Sequence, residues 1–212
     1  MAITYPRIDI VDPLLIQSQS PPILRMRQEL SRTAGGQSIG KDLGPAVWEF
    51  TWTTKPLRSQ QALQLEARLH SLRGVIGTFY GWDLRRSNPL NDPGAALLSG
   101  YTPKLNTFTA NTVSFKSLPP GYVLAEGDYF AYPYESGTKH TYHRILEAVT
   151  ANGSGVTAAV TIQPEFRPGS AVADAVVVIG NPKALCRLKP DSLELQEVDQ
   201  LHSTVSFSAT EV

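Results

Sequence analysis

The chain has 212 residues, 42% hydrophobic and 18% charged, with 16 Gly and 16 Pro; this composition is globular and turn-rich, and it excludes a disordered or fibrous chain. Lys plus Arg equals Asp plus Glu at 19 each, so no global charge draws the protein to nucleic acid or an anionic membrane. One cysteine, Cys186, excludes an intrachain disulfide, and with four His it leaves little material for a thiolate zinc site. The opening residues lack the basic, apolar, small-residue order of a signal peptide, and no run approaches the ~18 apolar residues of a membrane span. Cytosolic synthesis is the expectation.

Residues 1 to 22 read as an extended leader ending in the turn-rich Gln17-Ser18-Gln19-Ser20-Pro21-Pro22. From Ile23, the residues Ile23, Arg25, Arg27 and Glu29 alternate with Leu24, Met26, Gln28 and Leu30, which predicts a strand with one wet face. A second strand is predicted at 47–53, where Trp48, Phe50 and Trp52 alternate with Val47, Glu49, Thr51 and Thr53. The two make a hairpin. Residues 33 to 46 between them hold Gly35, Gly36, Lys41 and Asp42 and no aromatic residue, and read as a mobile connector or as a loop ordered by a neighbouring subunit.

Next comes the stretch that organises the chain. Leu57, Ala62, Leu65, Leu69 and Leu72 recur every three to four residues, predicting an amphipathic helix over 57–73 that stops at Gly74. A strand follows from Thr78 to Asp83, and Arg85, Arg86 and the turn at Asn88 to Gly94 close the unit. Residues 95 to 112 are weakly patterned. Beyond Val113-Ser114-Phe115, short apolar runs follow at meander spacing: 123–124, 129–134, 142–149, 156–162 and 176–179. The tail predicts further strands at 185–188, 193–198 and 204–208, with Leu193, Leu195 and Glu197 facing one way and Glu194 and Gln196 the other.

No residue set assembles chemistry. Glu126 and Asp128 flank a glycine at a strand entrance, which is turn chemistry rather than a pair of carboxylates set across a sugar. His140 and His143 point to opposite faces if their segment is a strand, and cannot share a metal ion. Asp174, His202 and the serines lack a strained nucleophile turn. Lys41, Arg58, Arg68, Arg73, Arg85 and Arg86 are interrupted by Glu49, Glu66 and Asp83, and read as a solvated or salt-bridged face. Cys186 reads as a small core residue. The aromatics Tyr129, Phe130, Tyr132, Tyr134 and Tyr142 leave a carbohydrate-binding module as an alternative.

Two ordered sets of motifs resemble the distal tail proteins of long, non-contractile-tailed bacteriophages and gene-transfer particles. The first is Leu69-His70-Ser71-Leu72-Arg73-Gly74, Gly77-Thr78-Phe79 and Asp83-Leu84-Arg85-Arg86, after the Trp-containing hairpin. The second is Leu124-Ala125-Glu126-Gly127-Asp128-Tyr129-Phe130, His143-Arg144-Ile145, Asn152-Gly153-Ser154-Gly155, Ala159 to Ile162 and Pro164-Glu165-Phe166-Arg167. They span residues 23 to 167, and Val205 to Val212 resembles the closing strand. The plain segment 95–112 and the lack of a large insertion depart from the family, so no receptor recognition is assigned.

The resemblance implies a structural virion protein, not an enzyme: a ring, commonly a hexamer, at the tail tip between tail tube protein and hub protein, assembled in the host cytoplasm. It implies no cofactor and no membrane partner, with DNA contact only through the tail channel. The expected fold is mainly β with one principal helix. A sandwich-like ring-forming domain (1–98 and 171–212) would carry an inserted small β-barrel (99–170). A ring of identical copies needs two different patches per copy. Gly35, Gly36, Lys41, Asp42, Arg85 and Arg86 are the candidate subunit-interface residues, and the leader is a further candidate for reaching a neighbour.

Overall fold

The aromatic alternation at 47–53 does set a strand, and the largest sheet forms around it. The computed structural model describes residues 3 to 212; Met1 and Ala2 of the expected leader lie outside the described residues. In chain order the elements are β1 Ile16–Arg25, β2 Gln28–Arg32, β3 Ser38–Asp42, β4 Val47–Thr54, β5 Leu57–Arg58, α1 Ser59–Ser71 and β6 Thr78–Gly81. Next come β7 Lys104–Phe108, β8 Thr112–Lys116, β9 Val123–Leu124, β10 Tyr129–Tyr134, β11 Lys139–Ile145, β12 Val149–Thr150 and β13 Val160–Gln163. The chain closes with β14 Ala184–Leu188, β15 Glu194–Asp199 and β16 His202–Glu211. At 42% strand and 8% helix the protein is mainly β, with one α-helix and a curled half-barrel sheet.

A seven-stranded sheet runs β1-β4-β16-β14-β6, with β5 and β15 also paired to β16. Trp48, Phe50 and Trp52 of β4 and Val205, Phe207 and Ala209 of β16 point inward and are buried. The opposite face is polar: Thr51 and Ser208 hydroxyls meet at 2.7 Å, Thr53 and Ser206 at 3.0 Å, and Glu49 takes ion pairs from Arg25 and Lys189. Ala62, Leu65, Leu69 and Leu72 of the helical segment join Trp52, Phe79 and Phe207 in one core. The apolar stripe read from the sequence is therefore the packed face. The helix is shorter than the 57–73 expectation because Leu57 and Arg58 pair with Ser203 and His202 of β16. At its end Arg73 and Gly74 both take positive φ, which breaks the helical hydrogen bonding where the glycine predicted it. Gly81 is fixed by packing: a Cβ there would lie 2.6 Å from the Trp52 ring.

A five-stranded sheet runs β10-β11-β13-β8-β7 and encloses a second core around Phe115, Phe130, Tyr132, Ile145 and Ile162. The β10–β11 hairpin serves both cores. Tyr129, Ala131 and Tyr142 pack into the first and Phe130, Tyr132, Tyr134 and Ile145 into the second. Trp48 joins the sheets across this wall, its Nε1–H donating to the Tyr142 carbonyl at 2.9 Å, with edge-to-face contacts on Tyr129 and Tyr142.

Several expectations are corrected. The extended leader is built into the main sheet rather than ending in a turn at 17–22: its last seven residues belong to β1, which continues through Pro21-Pro22 across a register shift against β4. Proline is tolerated there because β1 is an edge strand. The connector at 33–46 is largely structured, since β2 and β3 pair from Gln28↔Asp42 to Arg32↔Ser38 around a turn held by Thr33 and Gln37. Residues 95–112 contain β7, and the expected strand at 176–179 is only two isolated bridges, Val176 to Lys104 and Val178 to Ala131. The strand expected at 193–198 forms as β15, but all six of its residues are exposed, so neither of its faces is buried.

Candidate interaction surface

The possible catalytic residues are distributed by packing, not gathered. Glu126 is exposed in its turn, whereas Asp128 beside it is fully buried. The Asp128 carboxylate accepts hydrogen bonds from Arg86 Nη1 at 2.6 Å and from the backbone N–H groups of Leu90 and Ala125. It ties the chain after the helix to the entrance of β10. His140 and His143 lie on opposite faces of β11, the first beside the Tyr80 hydroxyl and the second in the second core. Asp174 pairs with Lys116, and His202 with Asp199. Cys186 is buried, which pushes its thiol pKa up. Among the described residues, no group of three His, Cys, Asp or Glu could hold a metal ion. Tyr129, Phe130, Tyr132, Tyr134 and Tyr142 are all buried, so the row that suggested sugar stacking has no face open to a sugar.

Two buried titratable groups act on stability in opposite directions. Glu211, closing β16, accepts the Trp48 backbone N–H at 3.2 Å and lies 3.5 Å from Arg167; burial raises its pKa to about 7. His143 donates Nδ1–H to the Pro164 carbonyl at 2.8 Å, its Nε2 has no partner among the described residues, and burial lowers its pKa to about 4. A raised carboxylate pKa gives stability that is complete below the unfolded value of 4.5 and is lost as pH rises through about 7. A lowered imidazole pKa gives stability that is complete above 6.5 and is lost as pH falls through about 4. Each contribution is on the order of 3 kcal/mol, and the two slopes oppose each other between pH 4.5 and 6.5. Measured against the wild type, denaturant midpoints of Glu211→Gln should rise with pH across that window, because the falling contribution of Glu211 is gone. A variant profile parallel to that of the wild type would contradict this assignment.

The surface has two projecting arms. The β2–β3 ribbon pairs only with itself, and all ten of its strand residues are exposed. Leu30 is 71% exposed and Ile39 56%. In the observed register Leu30 is opposite Gly40 and Ile39 opposite Ser31, so each face of the ribbon carries one bare apolar residue. An isolated two-stranded ribbon of this kind is marginal in water. The second arm is β15, which pairs only with β16 and leaves Leu195, Val198 and the following Leu201 exposed. Of the six candidate interface residues, Gly35 and Gly36 form the tip of the ribbon and Lys41 and Asp42 lie in β3. Arg85 and Arg86 lie elsewhere, in the 3-10 turn Leu84–Arg86, engaged inside the chain with Asp83 and Asp128. Arg68 is likewise paired, with Asp9.

No family model matches the chain, and no curated protein matches it. The family likeness accordingly rests on the order of its motifs. Sequence reasoning placed a strand at 193–198 but missed that β15 is exposed along its whole length, although a signal was present: from Pro190 to Val212 there is no Lys or Arg, while Asp191, Glu194, Glu197, Asp199 and Glu211 supply acid.

Proposed function

We propose that this protein is a structural subunit of a bacteriophage tail tip, of the distal tail type, which closes into a ring and adapts the tail tube to the central hub. The observation that carries the reading is the β2–β3 ribbon, whose faces and outer edges are uncovered in a single copy. Burying it against other subunits supplies the third layer or strand that a two-stranded ribbon needs. The ordered motifs of residues 23 to 167 favour the tail tip over other assemblies. In this reading the chain is not an enzyme, its partners are its own copies, the tube protein and the hub protein, and contact with DNA is possible only through the channel.

The finer architecture belongs to the same proposal: a sandwich-like ring-forming domain with an inserted small barrel at about 99–170. Backbone hydrogen bonds from 174–178 to Pro103 and Leu105 on one side and to Ala131 on the other support the barrel, because they bridge the two outer strands of the five-stranded sheet. Co-sedimentation with assembled tail tubes and with purified hub tests the adaptor role. The expected result is binding at one tube end and to the hub. A protein bound by neither would overturn it.

A further inference from the structure

The β10–β11 hairpin meets β6, an edge strand of the large sheet, around a cavity of about 280 Å3. Tyr80 of β6, Pro133 and His140 of the hairpin, and Val178, Asn181 and Lys183 on the approach to β14 line it, and the surface it offers is mainly apolar. Its walls are fixed from several sides. Ala131 and Val178 exchange backbone hydrogen bonds at 2.9 and 2.7 Å, and the Asn181 N–H donates to the Asn88 side chain at 3.0 Å. The Tyr80 hydroxyl oxygen lies 3.3 Å from His140 Nε2, with the two rings edge to face. A ligand therefore meets a formed site and does not have to order one. The lining carries charge of one sign. No Asp or Glu contributes to it, and burial lowers the pKa of His140, which leaves that imidazole neutral at pH 7. Lys183 is the cation at the site: its ammonium lies 4.7 Å from the centroid of the Trp82 ring and forms no ion pair among the described residues.

We propose that this cavity binds a small aromatic carboxylate, with its ring among Tyr80, Pro133 and Val178 and its carboxylate on Lys183. An apolar recess between two packed layers, with a few polar groups converging on it, is the usual form of a small-molecule site. The flat faces of Tyr80, His140 and Pro133 suit a planar ring. The volume lies just below the range of about 300–1,000 Å3 that holds drug-sized ligands, so it takes one ring and not a polymer. A carboxylate supplies the counter-charge that Lys183 lacks. The bound acid touches both sheets and braces one against the other. The site lies within one copy and does not depend on ring formation.

Isothermal titration calorimetry of the full chain with benzoate tests the site. The expected result is saturable one-to-one binding with a Kd of about 1 mM, about tenfold or more tighter than benzylamine, which offers the same ring with the opposite charge. Lys183→Met should weaken benzoate about tenfold or more, and Val178→Trp, which fills the cavity, should abolish its binding. Neither position is buried, so both variants should unfold at the wild-type urea midpoint. With benzoate present, the thermal midpoint of the wild type should rise, and that of Val178→Trp should stay where it was. The absence of saturable benzoate binding, equal binding of benzylamine, or a benzoate affinity that survives either substitution would overturn the assignment and leave the ring reading untouched.

Discussion

Leu69→Asp should leave the chain without a cooperative unfolding transition. Leu69 is fully buried in the core shared by α1, β4, β6 and β16. Removing a buried leucine costs about 2–5 kcal/mol, and the new carboxylate has no cation within that aromatic and aliphatic cluster to offset its desolvation. The sum approaches the whole stability of a domain, about 5–15 kcal/mol. Leu65→Asp, on the same face of the helix, should behave alike. Gln64→Asp, exposed on the other side, should stay within about 0.5 kcal/mol of wild type. Circular dichroism through a urea titration separates the cases. A Leu69→Asp protein with a wild-type midpoint would show that the helix is peripheral.

Arg86→Met should destabilise the protein by about 3–5 kcal/mol, the cost of stripping the cation from a buried carboxylate. Asp128 keeps its two backbone donors in this variant, but its carboxylate is fully buried and Arg86 is the cation in contact with it. Adding Asp128→Asn removes the stranded charge, and the double variant should regain much of the loss. Urea midpoints of the single and double variants test this. A single variant within about 1 kcal/mol of wild type, typical of an exposed pair, would show that the tie is dispensable.

The legible parts of the fold were those in which one local pattern meets one environment. β4 has a core on one side and polar strand neighbours on the other, so its period-two alternation was plain. The helix buries one stripe, and its leucines announced that stripe. β10 was legible as a strand but not in its role: it is walled by a core on each face, and five of its six residues are buried, so no alternation remained to say which side was inside. That is why its tyrosines could be mistaken for an open aromatic platform. The ribbon's pairing, and the full exposure of the strand expected at 193–198, were hidden for the opposite reason. Neither has a buried face in a single chain, and periodicity reports only contrast between faces. The long-range partners of Arg86 and Asp128, 42 positions apart, left no local trace.

Ring formation is the central claim, and negative-stain electron microscopy of the purified protein, from about micromolar concentration upwards, tests it most directly. Closed rings of uniform subunit number, with face-on views showing a central channel, are the predicted result. A field of single 23.1 kDa particles at the highest concentration would contradict it.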